Sequence, residues 1–164
     1  VLFPLDIRTS EATFDIQYGN VKRPTYENTS WDMAKFETVA HQWADYSETG
    51  YGVSLMNDCK YGYSARGHIL GMSLIKCGIY PDYAADQGSH DFTYALYPHS
   101  GSWQESGVQK SAWSLNNPLW AVAGTLDVES AFCKADTDHV AIDCVKKAED
   151  SDAANRLESL EENQ

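Results

Sequence analysis

Between Asn57 and Tyr63 the chain sets an amide, a carboxylate, a thiol, an ammonium and two phenols, broken only by Gly62. Asn57, Asp58, Lys60 and Tyr61 are the first candidate binding residues, although no motif here completes an active site. A strand-like run, Tyr51–Met56, leads into the stretch and a second, Gly67–Ile75, leads away. The simplest arrangement is a hairpin whose connection carries the polar groups, because binding residues concentrate on loops held by a rigid sheet. The competing reading is that Asn57 and Asp58 hydrogen-bond their own turn. The same two readings apply to Asp82 and Asp86 in the long segment Cys77–Gly88, whose Gly, Pro and Asp content marks a loop.

Other chemistry is sparse. His41, His68, His90, His99 and His139 show no HxH or HExxH spacing, so structural or surface roles are expected for them rather than metal binding. The many carboxylates define no glycosidase pair, because such a pair is set by separation in space. There is no GxSxG, P-loop or dinucleotide fingerprint. The four cysteines lack CxxC spacing and read as reduced thiols. Ten Tyr and five Trp could stack on sugar rings, but core positions are the first expectation for Trp31, Trp43, Trp103, Trp113 and Trp120.

The elements that must position these groups are mostly strands. Alternation over Thr13–Tyr18 puts Phe14, Ile16 and Tyr18 on one face; Gly19-Asn20 closes the run, and Arg23-Pro24-Thr25 begins an irregular loop through Trp31-Asp32. Residues 34–46 fit a helix through Phe36, Ala40 and Trp43 or a strand through Glu37, Val39, His41 and Trp43, and lean towards strand. Asp91–Tyr97 alternates with Phe92, Tyr94 and Leu96 inward until Pro98 stops it. Val108, Ala112 and Leu115 have helical spacing, His139–Val145 reads as a strand, and the charged end is a solvated helix or a frayed tail. About seven strands and few helices predict an all-β sandwich. A net charge of −12 argues against nucleic acid as partner, and no apolar run reaches the length of a membrane span. The chain begins on Val1, as a piece cut from a longer protein would.

Several longer segments carry a resemblance. Arg23–Asp32, Ala40–Glu48, Gly50–Val53 leading into Asn57–Gly62, and Phe92–His99 are similar, in this order, to the C-terminal β region of glycoside hydrolase family 38 α-mannosidases. The likeness is greatest to the cytosolic and bacterial branch and runs from about Phe3 to Asp152. It implies part of a galactose-mutarotase-like β supersandwich over residues 1–152, followed by an acidic tail, 153–164. It also implies a retaining exo-α-mannosidase acting on terminal α-linked mannose, whose nucleophilic Asp and His/Asp zinc ligands lie in an N-terminal barrel domain. This chain is expected to lack that domain, to bind no cofactor itself, and to be catalytically incomplete alone. By the resemblance it packs on the barrel and lends loops to the pocket rim. Asn57, Asp58, Lys60 and Tyr61 form the first rim candidate. Lys76, where related enzymes commonly have arginine, forms the second with Asp82 and Asp86. The implied partners are the barrel and mannose-containing glycans, and the implied location is cytoplasmic. A free-standing carbohydrate-binding module is the alternative, and a purely structural interface domain is a third reading.

Overall fold

The computed structural model describes residues 1–125, 133–137 and 140–147. The chain divides into two compact units, Val1–Ala121 and Val122–Gln164. The first unit is an antiparallel β-sandwich. One sheet has the order β1-β8-β7-β4 and the other β3-β2-β5-β6-β9, where β1 is Leu2–Pro4, β2 Glu11–Ile16, β3 Gly19–Pro24, β4 Thr38–Val39, β5 Trp43–Glu48, β6 Tyr51–Asn57, β7 Gly62–Arg66, β8 Ile69–Met72 and β9 Tyr94–Ser100. Two short helices complete it, α1 (Ser30–Ala34) and α2 (Val108–Asn116).

Alternate residues of both sheets meet in one core. Ala12 and Phe14 of β2, Ala44 and Tyr46 of β5, and Val53 and Leu55 of β6 pack with Tyr63, Leu70 and Met72 of the facing sheet. Burying each large side chain contributes about 1.5–3 kcal/mol relative to leaving it in water. On the other face of the five-stranded sheet, Trp43 and Met56 pack beneath Val108 and Ala112 of α2. Beside them lies a buried polar cluster: the Asp45 carboxylate accepts hydroxyl bonds from Ser54 (2.7 Å) and Ser47 (2.6 Å) and faces His99 Nε2 at 2.8 Å. Gly52 makes room for it, since a Cβ there would lie 2.1 Å from Ser47 Oγ and 2.4 Å from His99 Cε1.

Several sequence expectations change here. The run Tyr51–Met56 and the later run do not pair as a hairpin. β6 pairs with β5 and β9 in one sheet, while β7 and β8 pair in the other, so the polar stretch between them crosses from sheet to sheet. Tyr18 is fully exposed with φ 53, because Gln17-Tyr18 forms the two-residue turn between β2 and β3. β3 occupies part of the stretch expected to be irregular; it is a half-exposed edge strand without a clean apolar face.

β9 is buried on the side opposite to expectation. Ala95, Tyr97 and His99 are the more covered set, and Tyr94 and Leu96 are exposed. Pro98 does not stop the strand. The bonds Asp58 N–H to Thr93 O and Gly101 N–H to Gly50 O bracket the β6–β9 register, so the odd-numbered residues of β9 face β6 and Pro98 points to the free edge. A missing N–H at that position costs the ladder nothing. Of the tryptophans, Trp43 is buried and Trp103 packs on it at 4.7 Å between ring centroids, whereas Trp31, Trp113 and Trp120 are exposed. Trp31 sits on α1, a helix with no buried residue.

In the second unit the described residues form no helix or strand. The expected strand over 139–145 is therefore not formed over Val140–Val145, an apolar run with no partner strand among the described residues of its unit. His139 and the acidic end 153–164 lie outside the described residues. No helix among the described residues is long and apolar enough to cross a membrane.

Candidate functional site

The stretch Asn57–Tyr63 leaves the last residue of β6 and must reach the opposite sheet within four residues. Asn57 makes that possible. Its buried side chain uses both ends of the amide: Nδ2 donates to His41 O at 3.0 Å and to the Tyr63 hydroxyl, while Oδ1 accepts the N–H groups of Cys59 (2.9 Å) and Lys60. Its backbone N–H donates to Gln42 O at 3.1 Å, and Asn116 at the end of α2 donates its Nδ2 to Asn57 O at 3.0 Å. Asn57 is thus a positioning residue with no group left to face a ligand. Burial pushes the Tyr63 hydroxyl up, so it remains a neutral partner to the amide.

Asp58 ties the turn to the approach of β9. It accepts the Thr93 N–H at 3.0 Å and donates its own N–H to Thr93 O at 3.2 Å. A hydrogen bond from the Cys59 thiol, and then those from Thr93, hold its carboxyl below the ordinary carboxylate range. The same Asp58–Cys59 contact pushes the thiol up, which keeps Cys59 protonated and a poor nucleophile. The thiol of this turn is therefore not set up for attack.

Two side chains remain for a ligand. The Lys60 ammonium lies 4.8 Å from the centroid of the Phe92 ring, a cation–π contact that steers it without consuming its three donors. Tyr61 is exposed and meets the His41 ring edge-on, with centroids 5.6 Å apart. Behind His41 stands Asp15, whose carboxylate accepts the Gln42 N–H at 2.9 Å and whose pKa is raised chiefly by burial. His41, Phe92 and Thr93 are the residues that sequence reasoning missed. Nothing in the spacing joins them to residues 57–61, because the link is made by the crossing between sheets.

The second candidate set is not assembled in the same way. Asp82 accepts the Ala84 N–H at 2.9 Å, and the Asp86 carbonyl lies 2.8 Å from His90 Nε2, both local contacts. Lys76 forms no ion pair with Asp82 or Asp86 among the described residues. No three His, Cys, Asp or Glu side chains among the described residues converge as a metal site.

The chain is similar to several known proteins. The solved alpha-mannosidase from Enterococcus faecalis V583 superposes with a TM-score of 0.63 at 22% identity, over 71% of this chain and 14% of that one, a likeness that shows the fold alone. Alpha-mannosidase 2C1 of Homo sapiens is 49% identical over 154 residues, covering 92% of this chain. Alpha-mannosidase G of Dictyostelium discoideum is 45% identical over 88% of this chain. The chain spans only 15% and 14% of these two relatives. A family model described as the glycosyl hydrolases family 38 C-terminal domain matches residues 1–84, and the chain belongs to that family.

Proposed function

We propose that this chain is the C-terminal β portion of an α-mannosidase acting on terminal α-linked mannose, and that the Asn57–Tyr61 turn forms part of its pocket rim. The observation that carries the reading is the presentation of Lys60 and Tyr61 on a turn fixed from beneath by Asn57 and from the side by Asp58. Lys60 offers donors and Tyr61 both a donor and an acceptor to sugar hydroxyls. Lys76, Asp82 and Asp86 form an outer part of the same rim, ordered when the catalytic barrel covers their loop. In this reading the barrel is the main partner, holds the zinc and supplies the carboxylates that break the glycosidic bond with retention. The cytoplasmic location follows from the same branch of the family.

The test is kinetic and uses the full-length enzyme. Lys60→Ala is expected to lower kcat/KM on a mannoside about tenfold or more, the value of a lost charge-assisted hydrogen bond. Unchanged turnover in both Lys60→Ala and Asp58→Ala would sink the rim assignment.

A further inference from the structure

A second recessed site shares no residue with the Asn57–Tyr61 turn. Where the chain leaves edge strand β3 and crosses to β4 of the opposite sheet, residues 25–37 arch over the open side of the sandwich and leave a cleft of about 200 Å³ above Phe14. That lies below the roughly 300–1,000 Å³ of drug-sized pockets and suits a single small ring.

The chemistry of its wall is specific. Tyr26 and Phe36 line it while keeping 48% and 57% of their surface exposed, so these rings are not spent on the core. Charges balance: Arg23, Lys35 and Arg66 stand against Glu27, Asp32 and Glu37, in a chain whose net charge is −12. Part of this set is already committed. Arg66 pairs with Glu27 at 2.5 Å through one oxygen, Glu37 Oε1 accepts from Ser73 at 2.7 Å, and Asp32 closes the capping box of α1 with Thr29. Arg23 and Lys35 hold no ion pair among the described residues, and the second oxygens of Glu27 and Glu37 accept no hydrogen bond there.

Free donors and free acceptors thus line one cleft beside exposed aromatic faces. An anion would meet the two glutamates, and a cation the arginine and lysine. A neutral polyhydroxyl ring uses both kinds of group and lays its C–H face on an aromatic ring. We infer that this cleft is a saccharide-binding site for one neutral sugar ring, separate from the pocket rim.

The test is a ¹⁵N–¹H NMR titration of the full chain with methyl α-mannoside and with glucose, with inorganic phosphate and acetate as separate arms. Saturable shifts of the Arg23, Tyr26 and Phe36 amides are expected at millimolar sugar, the range of a single small ring. Tyr26→Ala and Arg23→Gln should each weaken binding about fivefold, while Tyr26→Phe, which keeps the ring, should bind nearly as well. Because both side chains are on the surface, the dispersion of each variant's spectrum confirms that it has folded. Shifts confined to Asn57–Tyr61, or no saturable shift with either sugar, overturn the inference. So does a response to phosphate or acetate at lower concentration than to sugar. The rim reading stands or falls separately, on Lys60→Ala in the full-length enzyme.

Discussion

The two loops that carry candidate residues are held in different ways. The Asn57–Tyr63 turn is fixed by long-range bonds: His41 O, Gln42 O, Thr93 and Asn116 all reach it from other elements. The segment 76–91 is held by contacts within itself, Asp82 to Ala84, Gln87 to Tyr83 and Asp86 to His90, each spanning at most four residues. Its Ile79, Tyr80 and Tyr83 are largely exposed. The first loop can hold a side chain at the precision a binding site demands, and the second needs a covering surface to do the same.

The contrast is broken most directly at Asn57. Asn57→Ala leaves the N–H groups of Cys59 and Lys60 and the Tyr63 hydroxyl without their buried partner, and is expected to cost about 3 kcal/mol in urea unfolding. Asp86→Gly relieves a residue at φ 58 and should change stability by less than about 0.5 kcal/mol. Equal losses in the two variants would erase the distinction.

Limited trypsin digestion sharpens the same point without mutation. Cleavage after Lys76 should precede cleavage after Lys60 by at least about tenfold in rate, because the second bond is in a turn braced at both ends. Comparable rates would mean that the turn opens as readily as the long loop.

The smallest effects concern Asp58. Its folded-state pKa lies below the ordinary 3.8, held there first by the Cys59 thiol and then by Thr93, so these contacts contribute stability that is present above that value and is lost as pH falls through the depressed one. The Thr93 amide signal should titrate in that acidic window. Asp58→Ala removes the hydrogen-bond acceptor, and with it the charge, that raise the Cys59 thiol, and alkylation of Cys59 at mildly alkaline pH should become modestly faster. An unchanged alkylation rate would show that the Asp58–Cys59 contact does not govern the thiol.

How much of this was legible in the sequence depended on how many faces each strand buries. Alternation located β2, β6 and β9, and helical spacing located α2, whereas the single strand expected over 34–46 is divided between the end of α1, the two-residue β4 and the start of β5. The burial of β9 was read backwards because the five-stranded sheet is covered on both sides, by the facing sheet and by α2, so Tyr94-Leu96 and Ala95-Tyr97 offer equally apolar sets. α1 was written in the Thr29-Ser30-Trp31-Asp32 capping box, a signal of local chemistry rather than periodicity. Asn57, Asp58, Lys60 and Tyr61 did fall in one turn. Their division into two that hold it and two that face outward depends on a crossing between sheets, which residue spacing does not record.

Pro98 has one more consequence. β9 ends the five-stranded sheet with its outward edge formed by Tyr94, Leu96, Pro98 and Ser100, an apolar edge that invites another chain to pair with it. With no N–H to donate at its third position, that row cannot continue as an unbroken ladder, and the strand works against the edge-to-edge growth that leads to aggregation.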